Sequence, residues 1–379
     1  ENLFIRGIFV YLPGKEAWHI QPALRMAAER SVPPELFRRA LSWYEARGRI
    51  QDALTCCWYL KDRETYEECL IRNYDKIPFL NYEKPGKNAA GRRSPELFYI
   101  EWMDACLRQD AAAMEQMRER LQDLRAEGAG QEGDGQKLKE IILNIAYTDP
   151  GISTKEWMEL LREETEPGRP IRLYFILGES VSYLSGLRDL SELFACGKKE
   201  RETWRELWEE RLAPEAQIPY RLAQMEYEYQ TDSASARGGG VLADLPETDA
   251  ETPWQIRLGT MYLAYLYADG RASGEHVRKH IRKLADSLDR EESQVCRWNA
   301  RALLYLAEAR WGERDDLMQW IRETDGEIEN DAGKTRFYMA AEVKVNLYLG
   351  NYGYAESILD VLIPYFERNG NHRWLAESL

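Results

Sequence analysis

Two of the chain's four histidines are spaced to act together. His276 and His280 lie four residues apart, so a helix through them puts both imidazoles on one face. The segment His276-Val277-Arg278-Lys279-His280 lacks the glutamate that a zinc-protease helix uses as its general base. Arg278, Lys279, Arg282 and Lys283 around it would repel a cation. The reading is a solvated basic helix face, with a patch for an anion or an acidic partner as the sharper alternative. His19 and His372 are remote in sequence, and there is no GxSxG turn, so a nucleophile–base arrangement has few candidates. Neither GxxxxGK[ST] nor GxGxxG occurs. No catalytic residue is assigned, no cofactor is expected, and the chain reads as a non-enzyme.

Cys56, Cys57, Cys69, Cys106, Cys196 and Cys296 show neither CxxC pairs nor regular spacing. That pattern suits reduced thiols in a cytoplasmic protein better than a disulfide framework, and it supplies no metal-ligand set. The carboxylate pairs Glu163-Glu164, Glu209-Glu210 and Asp315-Asp316 are those of exposed helix faces in an acidic protein. A net charge of -14 argues against a phosphate backbone as the partner of this chain. No apolar run approaches the roughly 20 residues of a membrane-spanning helix.

The elements that must position these residues read as helices throughout. Leu36, Ala40, Trp43 and Tyr44 make an apolar stripe at helical spacing, closed by Gly48. A second helix follows from Ile50 to Leu60 and a third from about Glu64 to Asn73. Gly48-Arg49-Ile50 resembles Gly350-Asn351-Tyr352, Gly312-Glu313-Arg314 is a looser copy, and Gln109-Asp110-Ala111 is a copy with Gln in the turn. The spacing of Gly312 and Gly350 falls in the range of helix-pair solenoids, whose units bury their apolar faces only by stacking. The last repeat fits the tetratricopeptide (TPR) pattern best, with a kink or early end expected at Pro364. The fold class is therefore all-α, a TPR-like right-handed superhelix of helix-turn-helix repeats. Polar inserts are expected near 82–94, 127–136 and 231–240, from their Gly, Pro and Ser content. Residues 1–30 depart from the theme: Ile8-Phe9-Val10-Tyr11, a turn at Pro13-Gly14, and Trp18-His19-Ile20 suggest a small β-hairpin, with a short helix from Pro22. Both ends read as cut from something longer.

The N-terminal order carries a resemblance. Asn2-Leu3-Phe4-Ile5, Trp18-His19 and Pro22-Ala23-Leu24-Arg25 look like the end of the winged-helix module in MalT-like, LuxR-type regulators built on a signal-transduction ATPase. Leu36-Phe37-Arg38-Arg39-Ala40, Trp43-Tyr44, Gly48, Ala53-Leu54 and Asp62 resemble that family's first helical repeats. Phe37 stands where the family often has His, and Lys61 where it often has Gly. The resemblance covers about the first 75 residues and is architectural beyond them. It implies residues 1–30 as the C-terminal part of a winged-helix module and 31–379 as a TPR-like sensor solenoid. The solenoid would receive a small-molecule inducer or a regulatory protein. Self-association and promoter binding would follow through domains outside this chain, so nucleic acid is no direct partner here.

Twelve Trp and 22 Tyr are many for this length. Most are expected to fill space between stacked helices, as in Leu173-Tyr174-Phe175-Ile176-Leu177, read as helical, and Tyr262 to Tyr267. A minority suit a groove for ligand or partner. If the first helix of the last repeat lines the concave side, Phe337, Lys344 and Tyr348 face the groove, and Tyr220, Gln224, Tyr227 and Tyr262 are further candidates. An adaptor docking another protein, unconnected to transcription, is the alternative function.

Overall fold

The structure, a computed structural model, describes residues 9–12, 17–20, 33–80, 82, 94–108, 110–128, 135–174, 181–184, 188–231, 245–248, 252–268, 270–288, 293–315, 317–318 and 335–368. They divide into two compact units, Glu1–Leu97 and Phe98–Leu379. Helix predominates in both, as the three- and four-residue periodicity dictates.

In the first unit, β1 (Phe9–Leu12) pairs antiparallel with β2 (Ala17–Ile20), Phe9 opposite Ile20 and Tyr11 opposite Trp18. Three helices follow: α1 (Pro34–Glu45), α2 (Ile50–Leu60) and α3 (Arg63–Arg72). Pro34 opens α1 with its φ preset and no N–H to leave unpaired. Gly48, at φ 69°, makes the left-handed turn that lets α2 fold back along α1. α2 buries Ile50, Ala53, Leu54, Cys56 and Cys57, but α1 buries Leu41 alone. The stripe Leu36–Ala40–Trp43, expected to face a core, instead turns outward, because packing follows Leu41. Lys61 closes α2 at φ 55°, the one non-glycine residue with positive φ among the described residues. Asp62 then caps α3, accepting from Thr65 N at 3.3 Å and Thr65 Oγ1 at 2.8 Å.

The second unit takes in most of α4 (Pro95–Arg108), then α5 (Ala111–Gly128), α6 (Gly135–Thr148), α7 (Thr154–Glu164), the short α8 (Ser191–Ala195), α9 (Lys198–Arg211), α10 (Gln217–Gln230), α11 (Trp254–Tyr267), α12 (Gly270–Leu288), α13 (Gln294–Trp311), α14 (Arg336–Leu349) and α15 (Tyr352–Arg368). Most pack on their neighbours in sequence, while α9 packs more on α7 than on α8 and α13 meets α11 as well as α12 and α14. The ends of α5 and the start of α6 are helical at 127–128 and 135–136, shortening the expected insert from both sides; the other two inserts lie almost wholly outside the described residues. Leu173 and Tyr174 are not helical: the segment after Pro170 is extended, and Ile171 bridges Leu212 through Ile171 N to Arg211 O at 2.9 Å and Ala213 N to Ile171 O at 2.8 Å. The buried Ile171 is held extended by these two sheet-type bonds, which a helix through it would forgo. α15 does not end at Pro364 but continues to Arg368 with the proline inside it. Gly350, at φ 83°, is the left-handed cap between α14 and α15, whereas Gly312, at φ -80°, closes α13 without a left-handed turn.

The core is an aromatic series. Tyr147, Trp157, Trp208 and Tyr220 run ring to ring across α6, α7, α9 and α10 at 4.9, 5.8 and 5.1 Å. The two indoles of this series donate to backbone, Trp157 to Leu143 O at 3.1 Å and Trp208 to Ala216 O at 3.0 Å.

Candidate functional site

The candidate groove residues fall on three helices. Tyr220, Gln224 and Tyr227 follow helical spacing on α10. Tyr220 is buried, with Phe194 at 5.2 Å and Trp208 at 5.1 Å, and burial pushes its phenol up to about 12. Tyr227 is half-buried against the same Phe194 at 5.6 Å. Gln224 is half-buried and donates to Glu228 Oε1 at 3.0 Å. Tyr262 on α11 meets Phe337 on α14 edge-on at 6.0 Å, and both are buried. Lys344 and Tyr348 are exposed on α14.

Tyr220, Tyr262 and Phe337 are thus core residues, which corrects their placement in an open groove. Spacing put Phe337, Lys344 and Tyr348 on one stripe of α14, but α11 covers the first turn of that stripe through Tyr262 and leaves the last turns bare. Helical phase alone does not say how far along a helix its neighbour reaches.

The histidine segment lies on α12, with His276 and His280 exposed. Burial first, then the charges of His276 and Lys283, hold the His280 imidazole below its ordinary value. The basic residues around it are not simply solvated. Arg282 Nε sits 2.6 Å from Glu308 Oε1 and Arg278 Nη1 3.5 Å from Glu308 Oε2, with Glu308 buried on α13. Arg278 also pairs with Glu275 at 3.4 Å. The expected solvated face is therefore partly an inter-helix ion pair, because α13 brings a carboxylate that sequence distance hid.

All six cysteines are free thiols. Cys56, Cys57, Cys69 and Cys296 are buried, and burial pushes Cys56 up to about 11 and Cys106 up to about 12. Cys57 and Cys69 hydrogen bond to each other across α2 and α3, which lowers Cys57 and raises Cys69. Among the described residues no cluster of three or more His, Cys, Asp or Glu side chains is placed to hold a metal ion. No helix among them is long and apolar enough to cross a membrane.

The most organised polar cluster escaped the sequence reading. Arg188 is buried and donates from Nε to Tyr147 O at 2.7 Å, from Nη1 to Ile152 O at 2.6 Å, and from Nη2 to Ala146 O at 2.7 Å and Asp149 O at 3.2 Å. Its guanidinium also lies over the Tyr147 ring. Ala146 and Tyr147 end α6, where a helix leaves acceptors without intrahelical partners, and Asp149 and Ile152 follow in the turn after it. Burial holds the Arg188 guanidinium below its usual range. Asp149 beside it takes a two-point bond from Arg118, at 2.6 and 3.0 Å. Buried Glu226 on α10 accepts from Ser182 Oγ at 2.7 Å and Leu184 N at 3.2 Å, and Asn144 on α6 holds Arg172 O and Tyr174 N, both at 2.8 Å. Arg188, Asn144 and Glu226 each bond to backbone of another segment. The cluster ties down the described irregular segments 149–153, 172–174, 181–184 and 188–190 between helices. Nothing in an isolated Arg, Asp or Glu marks such a role; only its neighbours do.

Among the nine exposed large hydrophobics of the described residues, all but Tyr229 lie on α1, α2, α14 or α15: Leu36, Trp43 and Trp58 in the first unit, and Leu347, Tyr348, Tyr352, Tyr354 and Val361 in the second. The chemistry this surface offers is apolar contact with aromatic and guanidinium anchors.

In comparison with known proteins, the chain matches no family model, no curated protein and no solved structure.

Proposed function

We propose that this chain is the signal-sensing region of a MalT-like, LuxR-type transcription regulator, its helix pairs forming a TPR-like right-handed superhelix. A small-molecule inducer or a regulatory protein binds it in the cytoplasm, and binding favours one conformation that promotes self-association. ATP binding and promoter recognition belong to domains outside residues 1–379. The reading rests on the resemblance at residues 1–75, and one backbone observation supports it. Lys61, where that family's repeats often have Gly, holds the left-handed conformation that glycine adopts freely. The order of a β-pair, a helix, a glycine turn and two further helices agrees with it.

Thermal-shift screening of the chain against sugars, amino acids and nucleotides tests the sensing role, since a ligand of the folded state alone raises the melting temperature. The regulator reading also requires a phosphate-loop ATPase segment before residue 1 and a helix-turn-helix after residue 379 in the same reading frame. Flanking sequence without them overturns it. The uncovered Leu36, Trp43 and Trp58 favour a second reading, an adaptor that docks another protein without any link to transcription.

A further inference from the structure

We infer that the outward stripe of α1, together with Trp58 at the end of α2, docks an acidic amphipathic helix of another protein. The inference uses none of the groove candidates and holds whether or not those residues take an inducer. Leu36, Ala40 and Trp43 recur at helical spacing, and Arg39 and Arg47 fall on the same stripe. Leu36 is 49% exposed, Trp43 48% and Trp58 61%, a high cost for side chains of this size unless something covers them. Phe37 stacks on Tyr59 at 5.3 Å, which sets the start of α1, with Leu36, beside the end of α2, with Trp58. The Arg47 guanidinium lies 3.9 Å from the centre of the Trp43 ring and donates to Trp43 O at 3.4 Å, so the indole is held in place before any partner arrives.

Charge decides the kind of partner. Three other arginines of this unit are matched within the chain: Arg49 pairs with Asp52, Arg63 with Glu67, and Arg72 with Glu45. Arg39 and Arg47 have no carboxylate within ion-pair distance among the described residues. The stripe therefore presents apolar anchors with two unmatched guanidinium groups beside them. A helix carrying apolar residues on one face and Asp or Glu along its margins satisfies both, in the manner of helix recognition by an apolar surface with Arg and Trp hot spots.

The test uses the full chain and two synthetic helical peptides with the same leucine stripe, one flanked by glutamates and one by lysines, titrated by calorimetry. The expected result is binding of the glutamate peptide at least about tenfold tighter than the lysine peptide. Trp43→Ala should weaken it by about tenfold or more with the circular dichroism unchanged. The double variant Arg39→Glu, Arg47→Glu should invert the preference, a swap that mere stickiness cannot produce. Binding of neither peptide, equal binding of both, or insensitivity to Trp43→Ala overturns the inference. Self-association in sedimentation that Trp43→Ala removes would assign the surface to a second copy. Retention on phosphatidylserine vesicles through Trp43 would assign it to a membrane surface. Either of those outcomes also overturns the inference. A ligand found by thermal shift leaves all these outcomes unaffected, so the two readings fail separately.

Discussion

Replacing Arg188 by Met keeps most of the buried side-chain volume and removes every donor of the cluster at the end of α6. Four hydrogen bonds are lost, to Ala146, Tyr147, Asp149 and Ile152 carbonyls. Asp149 O keeps a partner, since Ile152 N donates to it at 3.2 Å. The buried carbonyls of Ala146 and Tyr147 and the half-buried one of Ile152 are left without one, at about 1–1.5 kcal/mol for each buried group and less for Ile152, a gross cost of about 3–4 kcal/mol. Removing a guanidinium that burial disfavours returns part of that, so the net loss should be about 3 kcal/mol. Arg188→Lys retains the charge but only a single point of donation, and should cost less, about 1–2 kcal/mol. The assay is urea unfolding followed by tryptophan fluorescence, to which Trp157 reports directly because it packs on Tyr147. The denaturation midpoint should fall at an unchanged slope, in the order wild type, Lys, Met. A Met variant within about 1 kcal/mol of wild type would refute the reasoning, since the carbonyls would then be satisfied without the arginine.

Three other outcomes are expected. Lys61→Gly should stabilise the first unit by about 0.5–1 kcal/mol, because the left-handed backbone at φ 55° costs a side chain what it does not cost glycine; thermal unfolding of the chain checks it. Gly259→Ala should destabilise by about 3 kcal/mol in urea unfolding, since the added Cβ would lie 2.0 Å from Cε2 of the buried Tyr183 ring, where no flexible tip can yield. His280 has a folded-state value below its ordinary 6.5, so the unfolded chain binds more protons in the window just beneath that value. Its contribution is complete above pH 6.5 and is lost as pH falls through the lowered value. Melting temperatures between pH 8 and 5 should fall less steeply for His280→Gln than for wild type, and an NMR titration of His280 above 6.5 would contradict the assignment.

Lys61 and Gly48 show how closely local sequence and local structure agree here. Glycine's freedom made the turn at Gly48 readable, and the helix boundaries at Ile50, Leu60 and Gly350 followed from spacing and caps. Where a segment's conformation depends on partners far away in sequence, the same reasoning failed. Leu173-Tyr174 has the apolar content of a helix, yet Ile171 is drawn into an extended bridge with Leu212 and Asn144 holds Tyr174 N.

By itself the sequence determined that this protein is built of helices, because apolar residues recur with the period of a helical turn and glycines stand where the backbone must reverse. It also determined that the aromatics would mainly be packing material. Only the tertiary structure decided which face of each helix is covered. It buried Phe337 and Tyr262 against each other, left Trp43 and Trp58 bare, and gave Arg188 four carbonyls from the end of α6 and the turn after it, about forty residues earlier in the chain. The physical reason is that periodicity is a property of one helix, whereas burial and the pairing of a buried charge belong to the neighbours that folding brings to it.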